Sequence, residues 1–133
     1  MEGDYMEYII KTTKDQEFID ITPIINEAIR KKKIEEGIVV VFVPHTTAGI
    51  TINENADPTV VEDILMMLNK VFPLEGDYRH LEGNSHAHIK ASLMGSSCSL
   101  IIRNGKLRLG TWQGVYFCEF DGPRTRKIYI DIR

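Results

Sequence analysis

The chain has 133 residues, of which 43% are hydrophobic and 26% charged, so it is long enough to bury an apolar core without staples and lacks the composition of a disordered chain. Sixteen Lys and Arg against nineteen Asp and Glu leave a net charge of -3, without the broad positive field that a phosphate backbone demands, so no nucleic acid partner is expected. No run approaches the roughly 20 apolar residues that span a bilayer, acidic residues stand where a leader would be basic, and two cysteines are too few for a disulfide framework; a cytoplasmic protein with no membrane partner and reduced thiols is expected.

The whole span 1–133 reads as one α+β domain. Residues 8–13 and 17–21 look extended, after which Thr22 is placed to cap a helix with Pro23 in its first turn. Ile25, Ala28 and Ile29 form the apolar stripe of that helix, Lys31, Lys32 and Lys33 complement its dipole, and Gly37 is expected to stop it. Residues 38–43 are a continuous apolar run of the kind expected in a central strand buried on both faces. Past Pro44, residues 48–53 alternate: Ala48, Ile50 and Ile52 point one way. Thr47, Gly49, Thr51 and Asn53 point the other, giving a polar face that either lines a pocket or meets water.

Asp57 and Pro58 start a second helix, and Val61, Ile64, Leu65, Leu68 and Phe72 follow at helical spacing to pack on the sheet. Met66 and Met67 read as gap-filling or flanking residues. Residues 73–85 form a loop carrying Asp77, Tyr78, Arg79 and His80, of a length at which loops are often functional. A short helix over 87–94 ends at Gly95, with Ile89 and Leu93 expected on its buried side. Asn104-Gly105 between two extended runs predicts a two-residue type I′ hairpin. The runs 111–120 and 127–132 flank Asp121-Gly122-Pro123, so the last third reads as an antiparallel meander.

Three of the four histidines, His80, His86 and His88, fall at one loop-to-helix junction, and His45 follows the central strand. Imidazole is a common metal ligand and titrates near neutrality, so convergence of these rings points to metal binding or proton transfer. His86 and His88 point about 200° apart on a helix that starts near Ser85, and are not expected to chelate as a pair. Glu54, at a strand end, is placed to orient an imidazole or hold a hard cation, whereas Asp57 is explained as a helix cap. Thr46 and Thr47 offer hydroxyls to an anion. Gly110-Thr111-Trp112-Gln113-Gly114 sets an aromatic and an amide between glycines, as an edge anchor or as a ligand platform. Arg124 and Arg126, after a turn, either face water or bind phosphate.

Pro44-His45-Thr46-Thr47-Ala48, the run from Ile52-Asn53-Glu54-Asn55 to Pro58, Tyr78-Arg79-His80, Ala87-His88-Ile89-Lys90 and Leu109-Gly110-Thr111-Trp112-Gln113-Gly114 together resemble the YjbQ family over nearly the whole chain. The resemblance implies a two-layered, mostly antiparallel, sandwich-like β-sheet with two to three helices. It also implies a homotrimer with sites near subunit boundaries, and secondary thiamine-phosphate synthase activity. That reaction joins hydroxymethylpyrimidine diphosphate to thiazole phosphate with release of pyrophosphate.

On this reading His45, His80 and His88 hold a divalent metal, zinc or magnesium, and His45, Glu54 and His88 are catalytic. Thr46, Thr47, Asn53, Lys90, Trp112, Gln113, Arg124 and Arg126 bind the phosphorylated substrate, with Trp112 stacking on the pyrimidine and the cations facing the departing diphosphate. Two rival readings use the same residues. One is a metal-dependent hydrolase of a small phosphorylated metabolite with Glu54 as general base, and the other is a non-catalytic trimer that binds a metal or metabolite.

Overall fold

A computed structural model describes residues 4–133; the first three residues, which carry part of the acidic start, lie outside the described residues. The extended segments form two sheets in which every pairing is antiparallel. The larger takes β1 (Met6–Lys11), β8 (Thr125–Ile132), β3 (Glu36–Phe42), β5 (Ser97–Arg103) and β6 (Lys106–Leu107) in the order β1-β8-β3-β5-β6. The smaller takes β2 (Glu17–Asp20), β7 (Gln113–Glu119) and β4 (Ala48–Glu54) in the order β2-β7-β4. Three helices, α1 (Thr22–Lys32), α2 (Pro58–Val71) and α3 (Ser85–Met94), complete the expected α+β architecture.

The main core lies where inward residues of both sheets meet the stripe of α1. Val39, Val41, Ile128 and Ile130 of the larger sheet pack with Ile50, Val115 and Phe117 of the smaller, and Ile25, Ala28 and Ile29 of α1 seal it. A second cluster, Ala87, Ala91, Tyr116, Cys118 and Phe120, seats α3 against the smaller sheet, with Val61, Leu65 and Leu68 of α2 packed on it. The loose seating of α2 differs from the expected packing, since none of its residues is fully buried and Met66 and Met67 stand about half exposed.

Parity overturns the reading of β3 as buried on both faces. Val39 and Val41 are fully buried, while Ile38, Val40 and Phe42 are 46%, 38% and 41% exposed. Successive side chains of a strand point to opposite faces, and only one face of the larger sheet meets the core. A run in which every residue is apolar hides that asymmetry. The outer face is apolar around β3: Ile38 is paired in register with the exposed Ile101, and the ring of Phe42 stacks on Tyr129 at 6.1 Å.

Four local expectations are corrected. Thr22 does not cap α1, because its hydroxyl accepts the Val115 N–H at 2.8 Å and so ties the helix to β7. The helix ends at Lys33, in the left-handed conformation, before Gly37, which lies within β3. The last two long strands form no meander: β7 lies between β2 and β4, and β8 between β1 and β3, so each has both edges filled and the chain crosses from one sheet to the other between them. In α3 the buried residues are His86, Ala87, Lys90 and Ala91, while Leu93 is 57% exposed. The cap at Asp57 is as read, with its carboxylate accepting the Thr59 N–H at 3.0 Å. So is the hairpin at Asn104 and Gly105, whose φ values of 55° and 77° suit a type I′ turn.

Candidate active site

The chain leaves β3 at Phe42 and turns through Pro44 to His45, which lies beside the start of β8. There the Nε2 of His45 accepts the backbone N–H of Lys127 at 3.0 Å. An amide N–H can only donate, so Nε2 is unprotonated and the neutral ring carries its proton on Nδ1. Burial first, and then the nearby Arg126 charge, lower the pKa of this imidazole below its ordinary value. His45 is thereby held as a neutral hydrogen-bond donor at neutral pH.

α3 supplies the second imidazole. His88 lines the same cavity as His45, of about 650 Å³, together with Thr46 and Thr47. His86 points into the protein, where its Nδ1 lies 2.8 Å from the Lys90 ammonium. An ammonium has only donors, so this Nδ1 is the acceptor. The Lys90 ammonium also donates to Asn69 Oδ1 of α2. Burial lowers the pKa of Lys90, and burial followed by the Lys90 charge lowers that of His86. His86 thus meets Lys90 in the interior, whereas His88 lines the cavity. Lys90, fully buried beneath α3, is not placed to touch a substrate in the cavity.

The two arginines behave differently. Arg126 is buried and pairs with the buried carboxylate of Glu119, while its Nη2 donates to Thr47 Oγ1 at 2.9 Å. Burial alone would raise the pKa of Glu119, but the bonds from Arg126, the Asp121 N–H and Thr12 outweigh it and hold the carboxyl below its usual range. This pair is a strut of the cavity wall. Arg124 is half exposed at the rim, with Nε on the Asp121 carbonyl at 2.7 Å and Nη2 on its carboxylate at 3.0 Å. These bonds engage Nε and Nη2, and the Arg124 side chain lines the cavity. Asn84 donates to the same Asp121 carboxylate at 2.9 Å, and its buried Oδ1 has no partner among the described residues.

His80 stands on the far side of His88, its ring centroid 5.3 Å away and its plane nearly perpendicular. It lines a separate groove with Tyr78, Arg79 and Ile89, and its Nε2 lies 3.0 Å from Glu82 Oε1. Glu54, Asn53, Trp112 and Gln113 lie at the other end of β4 from His45. Seven strand residues at about 3.3 Å each set them roughly 20 Å away within one chain. There Asn53 Oδ1 accepts the Glu54 N–H, the Tyr116 hydroxyl donates to the Glu54 carbonyl, and Gln113 Oε1 accepts the Gly110 N–H. Trp112 is 63% exposed.

Of the residues singled out by sequence, His45, His88, Thr46, Thr47, Arg124 and Arg126 therefore share one cavity. Sequence reading missed Glu82, Asn84 and Asp121 in its wall, and Glu119 and Thr12 behind it. Asn84 and Asp121 stand among glycines in loops, and the turn chemistry that explains them there conceals their second use.

The implied metal can be tested against these bonds. A ligating imidazole needs a bare nitrogen, yet His45 has one nitrogen accepting the Lys127 N–H and the other protonated. Magnesium wants oxygen ligands, but Glu82 is engaged by His80, and Asp121 by Arg124 and Asn84. Among the described residues no three His, Cys, Asp or Glu side chains are grouped to hold a metal ion. The donor set does not fit the metal that the resemblance implies.

Residues 6–133 match the family model described as UPF0047 protein YjbQ-like. A UPF0047 protein of Methanocaldococcus jannaschii is 57% identical over 126 residues, covering 95% of this chain and 91% of the relative. The UPF0047 protein YugU of Bacillus subtilis is 55% identical over 122 residues, covering 91% of this chain and 92% of its own. Among solved structures, a YjbQ/UPF0047 family protein of Clostridium acetobutylicum superposes with a TM-score of 0.94 at 64% identity, covering 96% of this chain and 99% of that one. A YbjQ-like protein of Sulfolobus solfataricus superposes with a TM-score of 0.92 at 33% identity, covering 98% and 96%.

Proposed function

The chain belongs to the YjbQ-like UPF0047 family, and we propose that the cavity between His45 and His88 is an acid–base and anion-binding site for a small phosphorylated molecule. One observation carries this reading: two imidazoles far apart in sequence line one cavity, and Arg124 and Asn84 line it with them. His45, protonated at Nδ1, donates to a phosphate or leaving oxygen. His88, the other imidazole of the cavity, carries the proton that moves. Arg124 Nη1 and the Thr46 hydroxyl steady the anion, and Asn84 Oδ1 accepts from a substrate hydroxyl or amine.

The specific reaction proposed is the one that the sequence resemblance implies. The lone pair of the thiazole nitrogen forms a bond to the methylene carbon of hydroxymethylpyrimidine diphosphate. The carbon–oxygen bond to the diphosphate breaks, and its electron pair leaves with pyrophosphate. Donors aimed at that departing anion are what this chain's residues offer. No step is assigned to a metal, nor to Glu54 of the same chain, which stands at the far end of β4.

The test is incubation of the purified protein with both substrates, following pyrophosphate and thiamine phosphate by chromatography. Equal amounts of the two products, lost in His88→Ala, are expected. Pyrophosphate or phosphate release without thiamine phosphate makes the protein a hydrolase, and binding without turnover makes it a ligand-binding protein; either result removes the transferase reading. We further propose that the chain assembles as a homotrimer through the apolar outer face of the larger sheet around Ile38, Val40, Phe42 and Ile101. Sedimentation equilibrium should find a trimer, and Val40→Asp should shift it to monomer. A wild-type monomer at micromolar concentration overturns that assignment. A cytoplasmic setting is part of the proposal; among the described residues both cysteines are free, and no helix is long and apolar enough to cross a membrane.

A further inference from the structure

α2 carries more apolar surface than the fold covers. Its inward stripe, Val61, Leu65 and Leu68, packs on the second core cluster, yet no residue of the helix is fully buried. A second stripe runs beside the first. Val60, Ile64, Met67 and Val71 recur at intervals of four, three and four residues. At about 100° per residue this keeps them within a sector of roughly 60°, turned roughly 100° from the inward stripe. Met67 and Val71 stand about half exposed, Val60 and Ile64 are partly exposed, and among the described residues none of the four joins either core cluster. The spacing is that of a seam along which one helix meets another, and a solvated face does not need it.

The charges beside the stripe indicate what covers it. Asp63 and Lys70 are exposed on the flank away from the inward stripe. On a solvated helix such charges commonly meet a counter-charge three or four residues away. Here those positions hold Thr59, Val60, Met66 and Met67 for Asp63, and Met66, Met67, Pro73 and Leu74 for Lys70. Neither charge belongs to an ion pair among the described residues. Within the helix the two stand two turns apart, about 10.5 Å along the axis, too far to meet. A second α2 laid antiparallel across the stripe reverses their order, so that each Asp63 faces the other copy's Lys70. A parallel copy about a twofold turns the two flanks to opposite sides and pairs neither charge.

We propose that this stripe is a self-association surface, on which two copies of the chain pair through α2, antiparallel about a twofold axis beside Met67. The charges set the register: with Asp63 opposite Lys70, the axis falls midway between them, at Met66 and Met67. The surface is distinct from the outer face of the larger sheet. Four side chains from each copy make a small interface beside the roughly 800 Å² per partner of a stable complex, so the pairing is weak and forms at roughly 0.1–1 mM, above the micromolar range of the trimer test. Pairing covers the one helix that has no buried residue and holds it on the seam where Asn69 accepts from Lys90.

The test is Met67→Cys in the full chain, mildly oxidised at about 0.5 mM, with the wild type treated alongside to account for Cys98 and Cys118. Side chains facing each other beside such an axis lie within disulfide reach, so a covalent dimer is expected from the variant and not from the wild type. Asp63→Lys or Lys70→Asp, added singly, sets like charges opposite one another in both pairs and should cut the yield roughly fivefold, whereas the two together exchange the signs and should restore it. The same yields are expected in the Val40→Asp background, which keeps this surface apart from the sheet-mediated trimer. No covalent dimer beyond the wild type, or a yield that ignores the single charge changes, or a double exchange that fails to restore it, overturns the assignment and leaves the stripe to another partner or to water.

Discussion

Arg126→Met should cost about 3–5 kcal/mol of folding stability, because it leaves the Glu119 carboxylate buried without its cationic partner. The setting favours the upper part of that range: the Glu119 side chain has no exposure and that of Arg126 only 6%. The same substitution removes the donor to Thr47 Oγ1. For a chain of this size about 1 kcal/mol moves the melting temperature by roughly 3–4 °C, so a drop of about 10–20 °C is expected in calorimetry. The sign of the pH dependence separates charge from packing. In the wild type Glu119 titrates below its unfolded value, so its contribution is fully present above that unfolded pKa and is lost as pH falls through the folded one. In the variant, burial acts without the guanidinium and the folded pKa rises, so the destabilisation is greatest at neutral pH and eases on acidification. The gap between the two proteins, measured by urea unfolding, should therefore narrow from pH 7 towards pH 4. Adding Glu119→Gln to the variant removes the stranded charge, keeps an acceptor for the Asp121 N–H while the new amide N–H donates to the Thr12 hydroxyl oxygen, and should recover about 2 kcal/mol. A loss below about 1 kcal/mol, or a gap that ignores pH, would show that the pair is not the strut described.

Three further outcomes are expected. Nitrogen-15 shifts should report His45 as the Nδ1–H tautomer, titrating below the ordinary imidazole range, and zinc added in equimolar amount should leave its signals in place; an Nε2–H signal would refute the geometry. His86→Ala should leave turnover within about threefold but lower stability by about 1–3 kcal/mol, since the Lys90 ammonium loses an acceptor in the interior; abolished turnover in a folded variant would place His86 in the chemistry. Gly49→Ala should destabilise by about 1–3 kcal/mol through its clash with the Gly95 carbonyl, read by thermal unfolding, and an unchanged melting point would mean that α3 is free to shift.

The elements most legible in the sequence were those set by local stereochemistry. Asn104-Gly105 supplies the two positive φ values that its turn needs, and Asp57 meets free N–H groups at a helix start regardless of what lies around it. Burial across the sheets was less legible. The run 38–43 is apolar at every position, and only the pairing of β3 within a sheet covered on one face decides that Ile38, Val40 and Phe42 stay outside. The buried side of α3 was misread for a related reason. Lys90 and His86 satisfy each other and Asn69, so polar side chains occupy the interior positions that Leu93 was expected to fill. For the site, residue type and motif pointed to His45, His88 and the arginines. Their separation from Glu54 and Trp112 follows from the length of β4, a distance that cannot be seen when residues are read only as neighbours along the chain.

α3 is clamped from beneath by hydrogen bonds and displays His88 on its opposite side. The aim of the imidazole is consequently inherited from the underside, where Lys90 reaches Asn69 and Asn69 in turn accepts from Gln16. A random mutagenesis screen scored on the proposed activity would collect hits at Gln16 and Asn69, neither of which lines the cavity. A descendant of this chain could not rebuild the seam between α2 and α3 without re-aiming His88.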